Sequence, residues 1–190
     1  MNKAYQTMRN FWLDVNNLQH KKEVPQLGAH KVCIAGVEMA AKDDAGHVKH
    51  VLIAASSLGN ASVYFENNSA SGLGGFTGGS SSGPVREKAL RMIQTAAKLA
   101  DKLPAVDQVA EQNNPDTVTL FTVSAEGKWA AIELKETDAR LPENPFYGFF
   151  AYSQQLLGAF RQVQENAATS QAKETKEPTE KSSPVAEPQK

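Results

Sequence analysis

The sequence predicts an α+β fold: a single two-layer domain in which helices cover an antiparallel sheet. Three observations carry this reading. Apolar residues recur at helical spacing in three separate segments. Five short segments are rich in β-branched residues. Turn compositions join those segments closely enough to make hairpins. The expected order is α-β-β-β-α-β-β-α.

Residues 3–19 place Ala4, Tyr5, Met8, Phe11, Trp12, Val15 and Leu18 on one wide stripe, so a helix is expected there. Pro25 and Gly28 then punctuate the chain. Residues 31–40 and 48–57 read as strands. The stretch Lys42-Asp43-Asp44-Ala45-Gly46 between them has a turn composition, which predicts a hairpin. A third strand is expected over 61–65. Residues 67–83 hold six glycines, at 72, 74, 75, 78, 79 and 83, and read as a long loose loop.

A second helix begins where Ser82 or Gly83 can cap it and Pro84 suits the first turn. Its stripe is Val85, Ala89, Met92, Ala96, Leu99 and Leu103. Pro104 ends it, and a short helical turn is expected over 105–111. Residues 117–124 and 128–136 form a second hairpin, with Ala130, Ile132 and Leu134 alternating against polar neighbours and Gly127 in the turn. Asn144 caps the last helix, and Pro145 takes its first position. Phe146, Phe149, Phe150, Leu156, Leu157, Phe160 and Val163 make its apolar stripe. From Asn166 to Lys190 the four lysines and four glutamates cancel, three prolines interrupt, and Val185 is the one large aliphatic residue. Such a segment buries too little to offset its ordering entropy, so residues 1–165 are expected to form the domain and 166–190 a disordered polar tail.

Composition narrows the function. Twenty basic residues stand against 21 acidic ones, a net charge of −1, which disfavours nucleic acid as a partner. Arg86, Lys88, Arg91, Lys98 and Lys102 on the second helix are interrupted by Glu87 and Asp101 and read as a solvated face. No segment has the apolar length of a membrane span, and the first residues lack a secretory signal, so a cytoplasmic protein is expected. One cysteine, Cys33, excludes an intrachain disulfide and a multi-thiolate zinc site; its apolar neighbours make it a core thiol.

No catalytic constellation emerges, and neither a metal site nor a cofactor is expected. His20, His30, His47 and His50 have no ligand partners at a convincing spacing and read as surface histidines. Glu133, Glu136, Asp138 and Arg140 read as a polar strand end and loop organiser. The loop that runs into the second helix offers Ser80, Ser81, Ser82 and Gly83 as an alternative site for a small ligand or phosphate. It lacks the lysine of a P-loop, and Pro84 removes one of the N–H donors.

The most distinctive candidate is aromatic. Phe146, Tyr147, Phe149, Phe150 and Tyr152 crowd into seven residues, more than one narrow stripe needs. The two readings are a partner-binding surface and a thick core beneath a large helix.

The element order resembles that of the small chaperones of type III secretion systems. The match is best from Pro84 to Val163: a helix, the hairpin Val118–Thr122 and Trp129–Leu134, a polar Glu136–Arg140 connector, and a closing amphipathic helix. The resemblance implies a cytoplasmic homodimer without a cofactor that holds an unfolded segment of another polypeptide along hydrophobic patches. The chain departs from that family in its greater length, weaker acidity, glycine-rich loop and tail. Roadblock-type regulatory domains combine a central hairpin and flanking helices in a similar way.

Overall fold

A computed structural model describes residues 1–18, 27–67, 73–77 and 82–174. Seven antiparallel strands form one open sheet, and helices cover both of its faces. The α+β class and the antiparallel sheet are as the periodicity predicts, but the expected two layers are three, because both strand faces are apolar and each takes a helix.

Asn2 caps α1 (Lys3–Leu13) by accepting from Tyr5 N–H at 2.9 Å. The helix stops short of the expected residue 19. Asp14 turns its carboxylate onto Asn16 N–H at 2.9 Å and starts the tighter 3-10 turn Val15–Asn17.

The strands β1 (Val32–Lys42), β2 (Val48–Ser56) and β3 (Ala61–Glu66) form a meander, and β4 (Leu73–Thr77) extends it. That fourth strand corrects the expectation of a continuous loop over 67–83. Glycine hid it, yet glycine is what the pairing requires. At Gly75, φ is +155° and a Cβ would lie 2.1 Å from Val63 O. Phe76 holds the strand down, stacked on Phe160 at 5.7 Å and edge-on to Phe65 at 5.9 Å.

Helix α2 (Gly83–Leu99) starts with Ser82 in the N-cap position and Pro84 in the first turn, as expected, but the Ser82 side chain makes no capping bond. A 3-10 turn, Ala100–Lys102, completes it. The helical turn expected over 105–111 is corrected: Ala105–Val106 is a short strand, β5, paired with β7. Next come β6 (Thr117–Ser124), β7 (Trp129–Lys135), the short helix α3 (Glu136–Ala139) and the long α4 (Tyr147–Glu174). The sheet order is β4-β3-β2-β1-β6-β7-β5.

Helix α4 runs nine residues into the stretch expected to be tail. Residues 166–174 include three Ala and hold no Pro or Gly, so nothing in the local sequence stops the helix there. Residues 175–190 lie outside the described residues.

Strand alternation separates two cores. Val37, Ile53, Val63 and Leu120 point to α2 and α4, where Met92, Ile93, Phe149 and Leu156 meet them. Leu52, Tyr64, Phe121 and Val123 point the other way, to Tyr5 and Trp12 of α1. Gly36 in β1 faces Phe121 of β6 across the ladder. A Cβ at Gly36 would lie 2.1 Å from the Phe121 ring, so the absent side chain makes room for the aromatic one.

Candidate functional site

The polar residues of the α1 face are the most unusual feature of the core. Glu38 sits mid-β1 with 0% exposure, opposite Leu52 of β2 and Thr119 of β6. Arg9 reaches it from α1: its Nε lies 2.9 Å from both carboxylate oxygens. Its Nη2 donates to Val109 O at 2.9 Å and Ala110 O at 2.7 Å, which fastens the segment after β5 to α1. Tyr5 donates its hydroxyl to Glu38 at 3.2 Å.

A second buried carboxylate, paired with a histidine, lies beside this one. His50 on β2 and Glu66 on β3 come one step beyond the Val51–Phe65 pair. His50 Nδ1 is 2.5 Å from Glu66, and because a carboxylate only accepts, Nδ1 carries the hydrogen. His50 Nε2 lies 3.2 Å from Asn113 Oδ1. Glu66 also accepts from Asn2 N–H at the start of α1. The rings of Tyr5 and His50 are tilted against each other at 5.5 Å and join the two pairs.

Electrostatics follow from this placement. Burial pushes the Glu38 carboxyl above the ordinary glutamate value, and Arg9, Tyr5 and His50 pull it only part of the way back. Burial also acts to raise Glu66, but the bonds from His50 and Asn2 outweigh it and hold that carboxyl low. Tyr5 is raised well above its usual value by burial and by the Glu38 charge.

These groups are turned onto one another. A groove of about 320 Å³ between α1 and residues 108–111 reaches one edge of Arg9. Behind that edge every polar contact named above is internal. The network therefore positions α1 against the segment that carries Val109, Ala110 and Asn113. Among the described residues no three His, Cys, Asp or Glu side chains gather as metal ligands.

The histidine reading needs correction at one position. His50 is 1% exposed and belongs to the core network, so it is not a surface residue. His47 and His30 are exposed and lie beside Asp43 and Asp101. His20 lies outside the described residues. Cys33 is buried in β1, as expected. The sequence carried one overlooked signal. Glu38 interrupts an otherwise apolar strand, and an acid there demands a partner from elsewhere in the chain.

The five aromatic candidates divide. Phe146, Phe149 and Phe150 are 5%, 0% and 2% exposed, so they are corrected from interface candidates to core residues. They fall at i, i+3 and i+4, Phe146 just before α4 and the other two on it, and they pack in the core shared with α2 and the sheet. Tyr152 is half-buried against the same core, and Tyr147, off that stripe, is 38% exposed. Leu141, six residues earlier, is 44% exposed.

The corner carrying Leu141 and Tyr147 is tightly built. Asn144 N–H donates to Leu141 O at 2.9 Å and Tyr147 N–H to Asn144 O at 3.0 Å, while the Asn144 side chain accepts from Phe146 N–H at 2.9 Å. Arg140 pairs with Glu136 and lies 5.3 Å from the Phe150 ring centre. Asp138 lies within α3, and Arg140 follows as its C-cap.

Of the alternative loop site, Ser80 and Ser81 lie outside the described residues. Ser82 and Gly83 begin α2, with Gly83 exposed. Among the described residues, no helix is long and apolar enough to cross a membrane. No family model, no curated protein and no solved structure matches the chain.

Proposed function

We propose that the chain is a non-enzymatic polypeptide-binding protein of the cytoplasm, a chaperone or adaptor that self-associates and meets its partner at the α3–α4 corner. One observation carries this reading: Leu141 and Tyr147 are two of only four large apolar side chains exposed among the described residues, and successive turns link them. Tyr is favoured in interfaces because its body is apolar and its hydroxyl stays wet. A corner fastened by Asn144 and Arg140 loses little freedom on binding, which favours affinity. The closed α1 network agrees with a protein whose polar groups serve architecture.

The test is recovery of bound polypeptides from extracts of the source cells by the full chain and by the Leu141→Ser/Tyr147→Ala variant. The proposal expects discrete partners that the variant, equally folded, fails to retain. Equal recovery by both would remove the corner from contention. Light scattering after size-exclusion chromatography tests self-association, and a strictly monomeric chain at micromolar concentration counts against that part.

A further inference from the structure

A cleft of about 380 Å³ opens where the turn before β1, the end of α2 and the tip of the β6–β7 hairpin meet. That volume lies within the roughly 300–1,000 Å³ span of small-molecule sites. The cleft is lined by Val32, Leu103, Ala130 and Trp129, which give it apolar walls. Lys31 and Lys128 also line it, from the two opposing turns.

Charge in the lining does not balance. Glu126 is the one acid there, and its carboxylate is 3.1 Å from Lys31 Nζ. Lys128 has no ion pair among the described residues, which leaves an excess of positive charge.

Thr122 supplies an independent observation. It is one of the residues that line the cleft, and its hydroxyl makes no hydrogen bond among the described residues. A threonine hydroxyl both donates and accepts, so this one is open to a ligand that enters the cleft. Lys31 adds a local peculiarity. It is the sole non-glycine residue of positive φ among the described residues, at +51°, held by Lys31 N–H on Gly28 O and Ala125 N–H on Lys31 O.

We propose that this cleft binds a small amphipathic carboxylate. Its apolar body packs against Val32, Leu103 and Ala130. Its carboxylate accepts from Thr122 and lies in the field of Lys31 and Lys128, displacing Glu126 from Lys31. An uncharged molecule of the same shape satisfies the walls and leaves the cations and the hydroxyl unanswered, so it binds more weakly.

Octanoate is the probe, and 1-octanol and inorganic phosphate are its controls. Each is titrated calorimetrically into the full chain, with Trp129 fluorescence followed in parallel. The expected result is saturable one-site binding of octanoate, at least about tenfold tighter than octanol or phosphate, because charge-assisted hydrogen bonds need both parts of the ligand. Lys31→Met/Lys128→Met changes exposed side chains and should weaken octanoate about tenfold or more, while Thr122→Val, equal in shape, should weaken it about three- to tenfold. Glu126→Gln should tighten binding, since Lys31 is then released from its partner. Circular dichroism confirms that each variant is folded. Equal affinity for octanol or phosphate, no saturable binding, or unchanged octanoate affinity in the folded lysine variant would each overturn the proposal.

Discussion

Arg9 and Glu38 meet where both side chains are buried, with Arg9 Nε 2.9 Å from each Glu38 oxygen, and this pair locks α1 to the middle strand of the sheet. Removing one partner leaves the other charge buried alone. Arg9→Ala should therefore cost about 3–5 kcal/mol of unfolding free energy. The apolar double replacement Arg9→Met/Glu38→Leu should recover most of that loss, because neither charge is then stranded. Urea unfolding of the three proteins decides it, and equal stability of the single and double variants refutes it.

Glu66 gives the fold a pH dependence of definite sign. Its carboxyl is held below the usual value in the folded state. Its contribution is thus present above the unfolded pKa, about 4.3, and is lost as pH falls through the lower folded value. Glu38, raised by burial, acts in the opposite sense: its contribution is present at low pH and lost as pH rises through its folded value. Unfolding curves of wild type and Glu66→Gln should differ most near neutrality and converge on acidification. A gap that does not change with pH contradicts the assignment.

Gly36 and Phe121 test the packing of the α1 face. A methyl at Gly36 would run into the Phe121 ring, and overpacking of this kind costs roughly 1–3 kcal/mol. Adding Phe121→Leu should make Gly36→Ala less harmful than it is alone. Additive effects in thermal unfolding of the double variant would show that the two positions are uncoupled.

The aromatic segment separates core from surface within four residues. Phe149→Ala should destabilise by about 3–5 kcal/mol through loss of burial and the cavity left behind. Tyr147→Ala, at an exposed position, should stay within about 0.5 kcal/mol of wild type. Similar losses from both would mean that Tyr147 is packed rather than presented.

Much of the fold was legible because periodicity reports which face of an element is dry. The strand pattern at 32–42, 48–56, 61–66, 117–124 and 129–135 closely followed the expected boundaries, as did the proline-marked start of α2. Strand β4 was hidden because Gly74 and Gly75 carry no alternation, and only contact with Val63, Phe65 and Phe160 gives the segment its conformation. The two-residue β5 was hidden for a similar reason, since its order comes from Trp129 and Ala130 across the ladder.

The sequence by itself determined the α+β class, the paired hairpins, the single core thiol and the helical stripe of Phe146, Phe149 and Phe150. Each follows from local spacing, because burying one face of an element stabilises it wherever that face comes to rest. The tertiary structure decided which polar residues meet. Arg9 lies 29 residues from Glu38, His50 lies 16 from Glu66, and the cleft brings Lys31 to Thr122 and Lys128 of a distant hairpin. Such encounters depend on strand register and helix placement, which no local period encodes. The same distinction divides the aromatics: spacing put five in one segment, and only packing made three of them core and left Tyr147 facing water.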